Sequence, residues 1–131
     1  MATFVFNKLI RDKLRFEYEK LHQKATYRKL SNDELAGALK QKLIEEIKEI
    51  ELSDRESVIT ELADVYQVVE EFLRIYDINP EEIRKVKAAK FEKKGGFSEG
   101  LFVETLQLTD DDEWNEYYRK QPDVFKEVSD K

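Results

Sequence analysis

The sequence predicts an all-α protein with an antiparallel four-helix core, on three observations. Charged residues make up 40% of the 131-residue chain, against roughly 25% in an average globular protein, an excess that suits long helices with one wet face. Four glycines and two prolines are its only strong breakers, too few for a β sandwich or a glycine-rich nucleotide fold. Three helix starts are also legible. Ser31-Asn-Asp-Glu34 and Ser53-Asp-Arg-Glu56 have the capping-box form, in which a hydroxyl accepts a first-turn amide and a Glu reaches back. Asn79-Pro80-Glu-Glu82 places proline at the first helical position, where its missing amide costs nothing.

Read in order, these signals predict helices over about residues 8–24, 32–52, 54–77 and 80–94, with Gly95-Gly96 stopping the last. The short connections imply antiparallel neighbours. Residues 25–30 and 100–108 gather β-branched and aromatic side chains and leave room for a small two-stranded β ribbon. Beyond residue 108 the chain runs through Thr109-Asp-Asp-Asp112 into Glu113-Trp-Asn-Glu-Tyr-Tyr-Arg-Lys120, a short helix with an acidic start. The expected organisation is one domain over residues 1–108 and a C-terminal extension, 109–131, that is not an independent domain.

Composition excludes several function classes. With 23 Lys and Arg against 29 Asp and Glu, the net charge of -6 argues against a protein held on nucleic acid by bulk electrostatics. No cysteine is present, so disulfides, thiolate nucleophiles and Cys-ligated metals are absent. The first residues lead directly into Lys8, Arg11, Asp12 and Lys13 without an apolar run of signal-peptide or membrane-span length, so no membrane is expected and the cytoplasm is the expected location. A single histidine, His22, rules out the paired Glu-x-x-His motifs of helical di-iron proteins. Phosphate-binding loops of the Gly-x-x-x-x-Gly-Lys type and EF-hand spacing are absent too.

The informative segment is the second helix. At 100° per residue Leu39, Leu43, Ile47 and Ile50 share one stripe, and Glu46 falls inside it with Glu49 on its flank. A core-facing carboxylate is costly unless paired, protonated or bound to a cation. The third helix repeats the arrangement, with Val58, Leu62, Val65, Val69 and Tyr76 in a stripe and Glu61 and Asp64 along its edge. Counted from the turn near Ser53 at about 1.5 Å per residue, Glu49 and Glu46 lie about 6 and 10 Å down one helix, and Glu61 and Asp64 about 11 and 15 Å down the other. A single Glu-x-x-Glu is ordinarily a solvated face. Two pairs at matching heights on one hairpin predict a site for a hard divalent cation, magnesium with manganese as a substitute, held by Glu46, Glu49, Glu61 and Asp64.

These residues resemble the all-α nucleoside triphosphate pyrophosphohydrolase superfamily, which includes MazG-type proteins, phosphoribosyl-ATP pyrophosphohydrolase and the dimeric dUTPases. The match is Glu46-x-x-Glu49 followed, after eleven intervening residues, by Glu61-Leu-Ala-Asp64. Two further motifs, Asn7-Lys-Leu-Ile-Arg-Asp-Lys13 and Lys90-Phe-Glu-Lys-Lys-Gly-Gly-Phe97 with Leu101-Phe-Val103 after it, are similar to those of the small house-cleaning members. The three motifs in order span about residues 5–106. Lys94 stands where the pattern has Arg, keeping charge but giving up bidentate phosphate geometry.

The resemblance implies magnesium-dependent hydrolysis of a nucleoside triphosphate between the α and β phosphates, giving a monophosphate and pyrophosphate, in the service of nucleotide-pool house-cleaning. Lys8, Arg11, Lys90 and Lys94 are the expected phosphate contacts, while Glu49 and Glu45 are the candidates to accept the proton of the attacking water, although Glu45 points away from the apolar stripe. The wide apolar arc of the third helix, together with the resemblance, implies a homodimer or a dimer of dimers. Two alternatives stand beside this reading: phosphoribosyl-ATP as the substrate, and a non-catalytic helical dimerisation or interaction module whose acids are neutralised by a partner's lysines.

Overall fold

The computed structural model describes residues 1–129. Every regular element among them is helical: α1, Leu14–Lys20; α2, Asn32–Lys48; α3, Arg55–Ile75; α4, Pro80–Lys94; and α5, Trp114–Arg119. The chain divides into two compact units, one covering Met1–Lys93 and the other beginning at Lys94. No helix among the described residues is long and apolar enough to cross a membrane.

The caps explain where the helices begin. Ser31 Oγ accepts from the Glu34 amide at 3.3 Å while Glu34 Oε1 accepts from the Ser31 amide at 3.2 Å, so the capping box predicted for α2 is formed. Asn79 starts α4, its Oδ1 accepting from the Glu81 amide at 3.0 Å and its amide donating to Glu82 at 3.1 Å. The start of α3 is displaced by one residue. Asp54, not Ser53, is the N-cap, accepting from the Glu56 amide at 3.1 Å, and the Ser53 hydroxyl donates to Glu51 instead. A carboxylate has the advantage over a hydroxyl here, since its charge also complements the positive end of the helix dipole.

Two helix ends use left-handed residues that are not glycine. After α1, His22 adopts φ 55° and its amide donates to Glu19, while the Gln23 amide reaches Tyr18 at 2.9 Å. After α3, Asp77 adopts φ 52° and the Ile78 amide reaches Leu73 at 2.8 Å. Both are Schellman ends, in which amides just beyond the helix satisfy its last carbonyls. They assign the single histidine a backbone role.

The first helix is shorter than expected. Residues 8–13 are not helical: no side chain caps Lys13, and Asn7 sits at φ 45°. The predicted β ribbon is not formed either, for there is no strand among the described residues. β-Branched content is a weak preference until a partner strand satisfies the backbone, and an isolated two-stranded ribbon is marginal in water. Leu101, Phe102 and Val103 are largely exposed.

In the first unit α2 packs against α3, the one extensive helix pair among the described residues. The side chains buried there are Leu39 and Glu46 of α2 and Val68 of α3, with Leu9 and Ile10 of the N-terminal segment half-buried. The face α3 turns inward is centred on Val68, so Leu62 and Val69, expected on the buried stripe, are exposed instead. No residue of α4 is buried, so the α2–α3 hairpin rather than four helices encloses the core. In the second unit, Trp114, Tyr117, Tyr118 and Phe125 form an edge-to-face aromatic cluster, with Trp114 and Tyr117 centroids 5.2 Å apart and Tyr118 and Phe125 4.8 Å apart. Asp112 anchors it by accepting from the Trp114 amide at 2.9 Å.

Candidate metal centre

The α2–α3 pair brings three of the four predicted acids together. Carboxylate oxygens of Glu46, Glu61 and Asp64 all lie within 4.8 Å of one another. Glu46 faces α3 because it shares the α2 face of Leu39, and Glu61 and Asp64 face α2 because they flank Val68 on the inward side of α3. The Glu46 side chain is 7% exposed and that of Asp64 30%. Glu49 does not join them. It is the C-cap of α2 and is exposed, standing about 60° round the helix from Glu46.

Burial, with the neighbouring carboxyls of Glu61 and Asp64, pushes the Glu46 pKa up from 4.5 to about 7, and the Lys42 ammonium pulls the other way. Glu61 Oε2 is buried and has no hydrogen-bond partner among the described residues. A buried acceptor left unpaired costs about 1–3 kcal/mol. An oxygen-seeking cation would satisfy it. At magnesium–oxygen distances of about 2.0–2.1 Å, ligand oxygens stand about 2.9 Å apart when adjacent and about 4.1 Å when opposite. Three carboxylate oxygens within 4.8 Å reach that spacing with small rotamer adjustments, so this donor set fits a hard divalent cation.

The basic residues are distributed in a way the sequence reading missed. Arg11 Nη2 donates to Asp64 Oδ1 at 2.6 Å. Lys8 Nζ lies 4.0 Å from Glu45 Oε2. Lys42, not singled out in the sequence, bridges Glu46 at 3.5 Å and Glu45 at 3.6 Å. Its signal was present: positions three and four before two acids on one helix are spatial neighbours. Lys90 and Lys94 are exposed on α4 and make no ion pair among the described residues. Thus Lys8 and Arg11 reach the acids, and Glu45 lies beside the cluster, paired with lysines.

No protein-family model, curated protein or solved structure matches this chain.

The arrangement can hold a cation between two helices and present it to solvent on the side of Asp64, whose side chain is 30% exposed against 7% for Glu46. Two positive side chains, Arg11 and Lys42, already stand against that cluster. A phosphate-bearing ligand would find charge from both the cation and the N-terminal segment.

Proposed function

We propose that the chain is a magnesium-dependent pyrophosphohydrolase of the all-α nucleoside triphosphate pyrophosphohydrolase superfamily, cleaving a nucleoside triphosphate between its α and β phosphates. The observation that carries the reading is the trio of buried Glu46 with half-buried Glu61 and Asp64, and its unpaired Glu61 oxygen. Bound magnesium supplies a Lewis acid for the phosphoryl oxygens and a water of lowered pKa. The chain's own residues do the rest. Glu46, Glu61 and Asp64 hold the cation, and Lys42 orients the Glu46 carboxylate from one turn away. Glu45, beside the cluster, accepts the water's proton. Lys8 and Arg11 lie on the same side of the hairpin as the acids and neutralise the phosphates.

Lys90 and Lys94, on α4, take no part in this reading of the site. Exposed Ile59, Leu62, Tyr66 and Val69 fall within an 80° arc of α3 opposite Val68, and Ile47 of α2 is 54% exposed. A coherent apolar stripe on a small highly charged protein is an association surface. A homodimer or dimer of dimers formed there covers it.

One observation favours a second reading. Lys42 and Arg11 already compensate part of the acid charge from within the chain, as expected of a non-catalytic interaction module whose acids are structural. Pyrophosphate release from a panel of nucleoside triphosphates and phosphoribosyl-ATP, with magnesium and with chelator, separates the readings. Release that needs magnesium and is lost in Asp64→Asn supports the hydrolase. No release from any member, with magnesium leaving the melting temperature unchanged, supports the module.

A further inference from the structure

The hydrolase reading treats Arg11 as a phosphate contact, yet its guanidinium is spent on Asp64 at 2.6 Å. Asp64 is also one of the three cation ligands. The same carboxylate therefore serves two positive partners. The three acids carry three negative charges when fully ionised, and Arg11 with Lys42 returns two. Entry of a divalent cation turns that slight deficit into an excess of positive charge, which weakens the hold of the acids on both resident cations.

The structure distinguishes which of the two yields. Lys42 is 27% exposed, is fixed to the rigid body of α2 and bridges two carboxylates, Glu45 and Glu46. Arg11 is 59% exposed and sits in a segment without regular structure that precedes α1, where its side chain can swing without breaking a helix. Its tie to the site is the contact with Asp64. An exposed ion pair of this kind is weak and yields to a stronger ligand. Leu9 and Ile10, half-buried beside it, keep the segment near the hairpin after the guanidinium leaves.

We propose that Arg11 is an exchangeable internal counter-ion: it occupies Asp64 while the acid site lacks a cation, and a divalent cation displaces it, freeing the guanidinium to bind the anionic ligand. The exchange rests on the metal reading given above and adds an order of events to it. Cation entry precedes phosphate capture by Arg11. The N-terminal segment thereby reports the state of the site, and anion binding without the cation lacks this contact.

The test uses the full chain and metal alone. Free manganese is measured by electron paramagnetic resonance in titrations of the unmodified protein, Arg11→Gln and Lys13→Gln, the last removing a neighbouring charge for which no ion pair is formed among the described residues. Loss of the competitor should tighten manganese binding about twofold to fivefold in Arg11→Gln, the worth of an exposed pair, and Lys13→Gln should tighten it less. In parallel, magnesium titrated into 13C,15N-labelled protein should shift the Arg11 Nε–H resonance with the same midpoint as the Asp64 carboxyl carbon, a readout that does not depend on any variant folding. Manganese binding that is equal or weaker in Arg11→Gln, or an Arg11 resonance that magnesium leaves unmoved in a protein that binds it, overturns the exchange and leaves the metal site standing. Absence of cation binding in the unmodified protein overturns both.

Discussion

Replacing Glu46 by Gln should make the protein more stable, and the gain should grow with pH. In the fold the Glu46 carboxyl titrates at about 7, raised chiefly by burial from an ordinary 4.5. Between those values the folded state keeps a proton that the unfolded chain has released, so stability falls as pH rises through this window and levels off above about 7. That separation corresponds to roughly 3 kcal/mol when fully developed, of which about 1 kcal/mol is already lost at pH 5.5 and nearly all of it at pH 8. Glutamine keeps the shape and the hydrogen-bonding reach without the charge. Urea unfolding followed by circular dichroism should therefore show an advantage for Glu46→Gln that is about 2 kcal/mol larger at pH 8 than at pH 5.5. Magnesium should remove most of that advantage at pH 8, since a ligand present at a hundred times its dissociation constant adds about 2.7 kcal/mol to the state that binds it. An advantage that does not change with pH, or an unmodified protein more stable at pH 8 than at pH 5.5 without metal, would refute the burial argument.

Three other outcomes follow from the packing and the caps. Ser31→Ala removes one half of the α2 capping box and should cost about 1 kcal/mol in urea unfolding, with Thr in its place restoring most of it. Asp77→Gly relieves a left-handed backbone at φ 52° and should raise stability by up to about 1 kcal/mol, whereas Asp77→Val should lower it. Tyr66→Glu places a charge on the exposed apolar stripe of α3, where Tyr66 is 72% exposed, and should shift sedimentation toward the monomer without loss of helix signal; an unchanged sedimentation coefficient would show that this stripe is not the association surface.

What the sequence revealed depended on whether the information was local. Ser31 and Glu34, Asn79 and Pro80, and Gly95 act within one helical turn of themselves, and the structure has each where its chemistry predicts. Ser53 and Asp54 are adjacent and both competent caps, so spacing alone could not choose between them. Helix geometry carries Glu46, Glu61 and Asp64 to definite faces, whereas Glu49 lies on the flank of the α2 stripe and stays in solvent. Along α3 the apolar arc is so wide that it does not reveal which side meets α2, and Leu62 and Val69 were assigned inward when Val68 is the buried one. Arg11 meets Asp64 across 53 positions of sequence, a separation that no periodicity encodes.

Helix α4 is held by little of its own. It spans fifteen residues, six of its side chains are Lys or Arg, and not one is buried. A helix of that length in water hovers near the balance point between coil and helix, because the cost of nucleating it is scarcely recovered before it ends. Its coherence is borrowed from whatever it leans on. The amides of residues 80–94 should therefore exchange with solvent far sooner than those of α2 and α3.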